Sequence, residues 1–328
     1  MLADPKNFFS NLCVSRSYFE RRYKPVYSLP FHPTPVLGSS VAMSISTIFV
    51  SFLSLLAFVL LPSTAEAGST VCSLARDGSK VNRWNGNSWV GIGDAASNIY
   101  SAGNGVLATT PINDQVFHYN PSTQNWRLLG SGGAKFVATA SAYYRLTSSR
   151  NAVERYSFSA NSWTNIGGPA SNIYGGGDDS FFAVNPGNNE IWQYFSNGNR
   201  WSKVGGGGAD FAVDGNGVLY GVSTPKDALY QYTGNSDVWT KIGDATSRVF
   251  AGRYGVFAVN VGNTEIWEWS RSSNPQWRKV GSGGIEFAVS DEALYGLDTL
   301  GTKIYRYDRA NGWRELTGAG SVRQIVQC

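Results

Sequence analysis

Seven tryptophans recur along most of the chain at intervals of 36 to 38 residues. A repeat period of roughly 20 to 50 residues indicates one supersecondary unit that is copied and stacked, because a single unit cannot bury its own apolar face. An aliphatic residue stands three positions after each tryptophan, and in six of the seven repeats a glycine follows it. The period-setting tryptophans are Trp89, Trp126, Trp163, Trp201, Trp239, Trp277 and Trp313.

The repeated unit is predicted to be a small antiparallel sheet, because apolar and polar residues alternate and no helical stripe is sustained. Four-stranded sheets repeated radially form a propeller, whereas a solenoid would need polar capping repeats that this sequence lacks. The sequence therefore predicts an all-β fold, a seven-bladed β-propeller of four-stranded antiparallel blades. In one repeat the predicted strands are Trp201–Val204, Asp210–Asp214, Val218–Val222 and Ala228–Tyr232.

The last repeat is incomplete, because it contains only 16 residues, from Trp313 to Cys328. Residues 68–88 contain two further strand patterns, Val71–Ala75 and Val81–Trp84. The two segments together make one repeat length, so both termini are predicted to build the closing blade. The inner strand of this blade is expected to have Arg323 where the other blades have Phe or Ile.

Two of the three cysteines, Cys72 and Cys328, lie in the repeat region. Cys328 follows the inner strand of the closing blade, and Cys72 lies near the start of the next strand, where every other blade has a hairpin turn. We therefore predict a disulfide bond between them, which implies an oxidising compartment. The alternative is a pair of unrelated buried thiols.

The N-terminal segment has the pattern of a secretory signal. An apolar run of 14 residues, Ile48–Leu61, precedes Ala-Glu-Ala at 65–67, which fits a signal-peptidase site. We expect residues 43–67 to be a signal peptide, with residues 1–42 an extension that is not translated or not structured. Residues 68–328 would then be a secreted propeller with no membrane insertion. The alternative is a signal anchor that keeps residues 1–42 in the cytoplasm.

Composition narrows the possible functions. From residue 68 onward there are 22 Lys and Arg against 20 Asp and Glu, with no basic run. Nucleic acid and anionic membranes are therefore poor candidates as partners. This region has one histidine, His118, which argues against a histidine-ligated metal centre and against a Ser-His-Asp triad. We expect no cofactor.

The repeats alternate between two types, so the evolutionary unit is a pair of blades. After the first, third and fifth tryptophans the sequence is IGDAASNIY, IGGPASNIY and IGDATSRVF; after the second, fourth and sixth it is LGSGGAKFV, VGGGGADFA and VGSGGIEFA. The first type also has a later motif, FAVNPGNNEIW at 182–192 and FAVNVGNTEIW at 257–267. Its third copy, LATTPINDQVF at 107–117, has diverged.

This later motif resembles the tectonin repeat, in which a Val-Asn pair, a polar turn and an Ile-Tyr or Ile-Trp pair follow a Trp-led strand. The wider relatives are the tachylectin-type propeller lectins. The resemblance covers residues 68–328 and implies carbohydrate binding by a secreted or surface-exposed propeller, with glycans of a cell surface or cell wall as partners. The alternate blades, for example Leu219–Tyr232, depart from the pattern because they lack the Val-Asn pair.

Topology suggests where such binding would occur. In a four-stranded blade, the turn between the second and third strands and the loop to the next blade emerge on one face, opposite the predicted disulfide. Amide and carboxylate groups there could bind sugar hydroxyls, and aromatic rings could cover the apolar side of a sugar. The candidate carbohydrate-binding residues are Ser171, Asn172, Asn185, Asn188, Glu190, Trp192, Ser247, Arg248, Asn260, Asn263, Glu265 and Trp267.

We expect two or three weak sites that act together through avidity. The strongest should contain Glu190 or Glu265, whereas the copy with Asn113, Gln115 and Phe117 has lost the carboxylate and should bind more weakly. A structural explanation competes with this, because asparagine is a normal turn former and strand tryptophans normally pack in cores.

Two other functions stay open. A protein-binding adhesion or host-interaction propeller would use the same face, and we rank it second. A glycan hydrolase would need a carboxylate pair near the central channel, where Asp210 and Glu286 could point. We rank hydrolysis last and expect no catalytic residues.

Overall fold

The computed structural model describes residues 70–112, 114–177 and 179–328. The predicted extension at 1–42 and signal peptide at 43–67 lie outside these residues. The described residues form 28 strands in seven four-stranded antiparallel sheets. They contain no helix that is long and apolar enough to cross a membrane. The predicted seven-bladed β-propeller is confirmed.

The strands are numbered in chain order. Blade 1 begins with β1 Val71–Ala75, β2 Val81–Trp84 and β3 Trp89–Gly93. Blade 2 contains β4 Asn98–Ser101, β5 Val106–Thr109, β6 Gln115–Asn120 and β7 Asn125–Ser131. Blade 3 contains β8 Lys135–Ala138, β9 Tyr143–Leu146, β10 Val153–Ser157 and β11 Ser162–Gly167. Blade 4 contains β12 Asn172–Gly176, β13 Ser180–Val184, β14 Ile191–Phe195 and β15 Arg200–Gly205.

The remaining blades follow the same order. Blade 5 contains β16 Asp210–Val213, β17 Leu219–Val222, β18 Leu229–Tyr232 and β19 Trp239–Gly243. Blade 6 contains β20 Thr246–Ala251, β21 Val256–Asn260, β22 Glu265–Trp269 and β23 Trp277–Ser282. Blade 7 contains β24 Glu286–Val289, β25 Leu294–Leu297, β26 Ile304–Asp308 and β27 Gly312–Leu316, and β28 Val322–Gln327 then returns to blade 1.

The apolar core lies between neighbouring blades, which pack face to face around a central channel. In one such layer, Phe257 and Ile266 of blade 6 contact Phe287 and Val289 of blade 7. The innermost strands of neighbouring blades contact one another around the whole ring, and β28 contacts both β24 and β4. A single blade would leave its apolar surface in water, so each blade depends on its neighbours for stability.

The closing blade is built from both termini, as predicted. β28 pairs antiparallel with β1 at the centre of blade 1. The predicted disulfide is also present, because Cys72 is bonded to Cys328 with their Cα atoms 5.7 Å apart. The backbone of Thr70 exchanges two hydrogen bonds of 2.9 Å with that of Cys328, so the strand pair and the disulfide close the ring together.

The expected position of Arg323 in this blade is wrong. Ile325 takes the inner-strand position that Ile173 has in blade 4, since it pairs with Ser73 and is 2% exposed. Arg323 instead donates from Nη2 to the carbonyl oxygen of Ala96 at 2.9 Å. The spacing from the period-setting tryptophan to this inner-strand position is two residues longer here than in the other blades, so a count from the last tryptophan assigns the wrong residue.

Each period-setting tryptophan contacts the preceding blade. Six of the seven donate their indole N–H to a backbone carbonyl there. Trp201, for example, donates to Ile166 at 2.7 Å, and its ring covers Gly167, where a Cβ atom would lie 3.1 Å from the ring. The recurring Trp-aliphatic-Gly pattern therefore joins neighbouring blades.

Alternating strand direction separates the turns onto two faces. The turns between the second and third strands, such as residues 185–190, emerge beside the interblade loops, such as residues 168–171. We call this side the upper face. The Cys72–Cys328 disulfide lies on the opposite side, next to the turns between the first and second strands.

Candidate ligand-binding sites on the upper face

The upper-face turn of blade 4 is shaped by its own asparagines. Oδ1 of Asn185 accepts the backbone N–H of Gly187 at 2.8 Å. Asn188 accepts the N–H of Glu190 at 3.1 Å and donates from Nδ2 to the Glu190 carboxylate at 2.8 Å. Asn189 has a φ of 58°, which asparagine tolerates better than most residues. These amides therefore have the structural partners expected of turn formers.

The equivalent turn of blade 6 is held in a related way. Oδ1 of Asn260 accepts the backbone N–H groups of Thr264 at 2.9 Å and of Glu265 at 3.0 Å. Asn263 has a φ of 53° and donates from Nδ2 to the carbonyl of Gly284 in the next interblade loop at 3.3 Å. Both turns therefore present their carboxylate at the same place, at the start of the third strand.

The two glutamates pair with lysines that sequence reasoning missed. Glu190 lies 2.9 Å from Lys203, and Glu265 lies 2.5 Å from Lys279. The lysine hydrogen bond holds the pKa of each carboxyl below its usual range. Trp267 also donates its indole N–H to Glu265 at 3.2 Å. A signal did exist in the sequence, because each lysine follows a period-setting tryptophan by two residues in the same blade as the glutamate.

An interblade recess of about 150 Å³ opens on the upper face between blades 3 and 4. Trp192 on β14 and Trp201 on β15 line it, together with Asn185 from the turn and Pro169 from the interblade loop. The structure thus places two predicted residues, Asn185 and Trp192, in one concave site. Trp201 also lines this site, although its indole N–H already donates to the carbonyl of Ile166 in the neighbouring blade.

Equivalent recesses lie at two other alternate blades. The blade 6 recess has a volume of about 260 Å³ and contains Asn260 and Trp267 beside Trp277. The blade 2 recess has a volume of about 570 Å³ and contains Phe117 beside Trp126. The described residues therefore place two aromatic side chains in a recess at blades 2, 4 and 6.

The alternation of blade types has a packing explanation. In blade 5 the ring of Phe211 lies so close to Gly208 and Gly221 that a Cβ atom at either glycine would be 2.8 Å from it. Blade 4 has the smaller Ile173 at the position of Phe211 and alanine at both glycine positions. Blades 3, 5 and 7, which have phenylalanine at this position, therefore fill this part of the interface with a ring. Blades 2, 4 and 6, which have Ile or Val there, contain the recesses.

The other predicted site residues are divided between two places. Ser171 and Ser247 each donate a hydroxyl to a carbonyl on the second strand of their own blade, at 3.3 and 3.1 Å. Asn172 and Arg248 line the mouth of the central channel rather than a recess. The structure does not bring these two residues together with the aromatic pairs.

Two carboxyl groups lie at the same channel mouth, where the sequence suggested they could point. Asp210 lines the channel, and its Oδ2 accepts the backbone N–H of Val249 at 3.0 Å. Glu286 lies 3.1 Å from the guanidinium of Arg248. Burial raises the pKa of both carboxyls above their ordinary values.

The sequence matches no protein-family model and no curated protein. Solved structures are similar in fold. A functionally unknown protein from Desulfotomaculum acetoxidans aligns with a TM-score of 0.54 and 9% identity over 79% of this chain and 98% of its own. The tricorn protease aligns with a TM-score of 0.56 and 8% identity over 80% of this chain, which spans 35% of that protein. The TM-scores show a shared fold, and identities of 8 and 9% carry no information on activity.

Proposed function

We propose that this protein is a secreted, multivalent carbohydrate-binding protein of the tectonin type that recognises glycans on a cell surface or cell wall. The observation that carries the proposal is the interblade recess that recurs with an aromatic pair at blades 2, 4 and 6. The recesses follow the same alternation as the sequence motifs. Close packing alone would not require an open recess at each of these positions.

The residues of each recess suit a sugar ring. In blade 4, Trp192 and Trp201 offer ring surface to the apolar side of a sugar. The amide of Asn185 lines the same recess as a partner for hydroxyl groups. The carboxylate of Glu190, whose side chain is 26% exposed, lies on the adjoining turn rather than in the lining and could meet a ligand that extends beyond the recess. A shallow recess buries little apolar area, so each site should be weak alone.

The disulfide supports the location that this function needs. A bond between Cys72 and Cys328 persists in oxidising compartments and is rare in the cytosol of most organisms. An extracellular position would give the recesses access to surface glycans.

The test is a glycan-binding screen with a matched pair of double variants. Trp192→Ala with Trp267→Ala removes one ring from two recesses and should lower binding to the best glycan at least tenfold. Tyr230 and Tyr305 hold the equivalent strand positions in two blades of the phenylalanine type, so Tyr230→Ala with Tyr305→Ala is the control. Equal loss of binding in both double variants would refute the recess as the site.

A second candidate is glycan hydrolysis at the channel mouth, because a general acid needs a carboxyl with a raised pKa such as Asp210 or Glu286. We expect no new reducing ends when the purified protein is incubated with a glycan that it binds. Turnover that disappears in Asp210→Asn would favour the hydrolase. Binding that survives enzymatic removal of surface glycans would instead favour a protein partner.

A further inference from the structure

The central channel has a ring of polar side chains at its upper mouth. Each inner strand contributes one residue, and several of these reach the next blade. Gln324 both accepts from and donates to the backbone of Ile99, at 3.0 and 2.8 Å. We call this set the channel ring: Asn98, Lys135, Asn172, Asp210, Arg248, Glu286 and Gln324.

Lys135 differs from Arg248, the other cation of the channel ring. Its Nζ donates to Oδ1 of Asn172 at 2.8 Å and lies 4.4 Å from the centre of the Tyr174 ring. Among the described residues, no carboxylate forms an ion pair with Lys135, whereas Arg248 lies 3.1 Å from Glu286. An ammonium group has three donors, so two are left for a ligand or for water.

The amino group of Lys135 is also removed from bulk water. Burial is the main cause that lowers its pKa to about 8. A desolvated cation beside an open cavity attracts an anion more strongly than a cation in bulk water, because the local dielectric constant is lower. Lys135 is therefore a charged group without a contacting counterion.

The cavity beside Lys135 has a volume of about 320 Å³. Its upper rim carries Lys135, Asn172 and Asp210 from three consecutive blades, and its wall deeper in the channel includes Val137 and Val213. Asp210 uses Oδ2 for the N–H of a neighbouring backbone group, and no described side chain donates to its Oδ1. The rim therefore has a cationic donor, Lys135, and an anionic acceptor, Asp210, with the amide of Asn172 between them.

We propose that the upper mouth of the central channel is a second ligand site, separate from the recesses, which binds a small hydroxy-carboxylate such as a sugar acid. The ligand carboxylate accepts hydrogen bonds from Nζ of Lys135, and a ligand hydroxyl donates to the carboxylate of Asp210. Asn172 between them has an amide that can orient the ligand further.

The charges of the rim favour a monoanion over a dianion. Lys135 and Arg248 supply two positive charges, but Asp210 and Glu286 supply two negative ones close by, and Glu286 already neutralises Arg248. A phosphate dianion carries a second negative charge, which the Asp210 carboxylate beside Lys135 would repel. A neutral sugar would leave the desolvated ammonium without a counterion.

The test is calorimetric titration of the secreted protein with D-glucuronate, D-glucose and inorganic phosphate. D-glucuronate should bind at least tenfold more tightly than the other two. Lys135→Gln should lower D-glucuronate affinity at least tenfold, and Asp210→Asn should also weaken it. Lys226→Gln, which changes an exposed lysine on an upper-face turn of blade 5, should change nothing.

The recess variant Trp192→Ala with Trp267→Ala separates this site from the proposed glycan sites, because D-glucuronate affinity should be unchanged in it. The proposal is overturned if D-glucose binds as tightly as D-glucuronate, if the tryptophan double variant loses D-glucuronate, or if both Lys135→Gln and Asp210→Asn bind like the parent. Near-ultraviolet circular dichroism establishes that each variant is folded.

The pH dependence gives an independent readout. The charged and titratable groups that face Lys135 are Asp210 on β16, Tyr174 on β12 and Arg150 in the turn before β10. Lys135 binds a carboxylate only when protonated, so affinity is full below a pKa of about 8 and falls above it. Between pH 7 and pH 9 affinity should fall about tenfold, since the protonated fraction drops by that factor. An unchanged affinity would exclude Lys135 as the anchor.

Discussion

Six of the seven period-setting tryptophans lie against a glycine in the preceding blade, whereas Trp89 has Thr317 at the corresponding position. The ring of Trp239 lies over Gly205 so closely that a Cβ atom there would be 2.6 Å from Nε1. Gly206, the next residue, has open space around its Cα atom. The tryptophan and the first glycine therefore recur together although they lie in different blades, because an added side chain at Gly205 would meet the ring of Trp239.

This contact can be tested with two adjacent glycines. Gly205→Ala should displace the Trp239 ring and lower the free energy of unfolding by about 1–3 kcal/mol, the usual cost of overpacking. Gly206→Ala should change stability by no more than about 0.5 kcal/mol, since the new methyl group meets nothing. Chemical denaturation followed by tryptophan fluorescence measures both. Equal stability of the two variants would show that the ring can move aside freely.

At the scale of the blade, one inner-strand residue separates the two blade types. Blades of the first type have Ile or Val there, paired with an alanine on the second strand, as Ile173 is with Ala183. Blades 2 and 4 also have an alanine three positions earlier, such as Ala170. Blades 5 and 7 have a phenylalanine with glycines at two positions, and the ring takes the space of the two methyl groups. Blade 3 has Phe136 with one of these glycines and Arg145 at the other position. The difference changes the shape of the interface while conserving its volume, which cores tolerate well.

This explanation predicts that one blade type can be converted into the other. The triple substitution Ile173→Phe, Ala170→Gly and Ala183→Gly should reproduce the packing around Phe211 and remove the blade 4 recess. We expect stability to fall by less than about 1.5 kcal/mol, because the change nearly conserves volume. Glycan-induced shifts of the Trp192 indole signal in NMR spectra should vanish, whereas those of Trp267 should persist. Shifts retained at both tryptophans would contradict the role given to the phenylalanine.

Sequence patterns predicted the strands well because strand and turn signals are local. β16 ends at Val213 rather than at the predicted Asp214, whose carboxylate accepts the N–H groups of Asn216 and Val218 and so starts the turn. The candidate site was predicted only in part. Whether Asn172 faces a recess or the channel depends on how inner strands meet across blades, which no local pattern encodes.

At the scale of the whole molecule, the ring is closed by one strand pair and one disulfide. The Cys72–Cys328 bond joins residues 256 positions apart, so it constrains almost the entire propeller in the unfolded state. Replacing both cysteines by serine should lower the free energy of unfolding by up to about 5 kcal/mol on the chain-entropy account. The blades should still form, because β28 keeps its pairing with β1.

Thermal unfolding with and without reductant measures this effect. The melting temperature of the parent should fall when reductant is added. The Cys72→Ser, Cys328→Ser variant should melt at that lower temperature with or without reductant. If reductant does not change the melting temperature of the parent, the disulfide does not stabilise the fold.

The recesses of blades 2, 4 and 6 open on one rigid face, so we expect them to act together. Three weak sites that share a face bind a dense glycan surface more tightly than any one of them, since the second contact forms at a high effective concentration. On the sugar identified by the glycan screen, the parent should bind a densely coated surface at least about a hundredfold more tightly than a sparsely coated one. Trp192→Ala and Trp267→Ala should each reduce this gain, and their combination should abolish it.

Phe117→Ala should have the smallest effect, because blade 2 has Gln115 where blades 4 and 6 have a glutamate beside the recess. Surface plasmon resonance at two coating densities separates avidity from single-site affinity. Equal affinity at both densities would show that the recesses do not act together. A larger loss from Phe117→Ala than from Trp192→Ala would show that the carboxylate is not what distinguishes the strong sites.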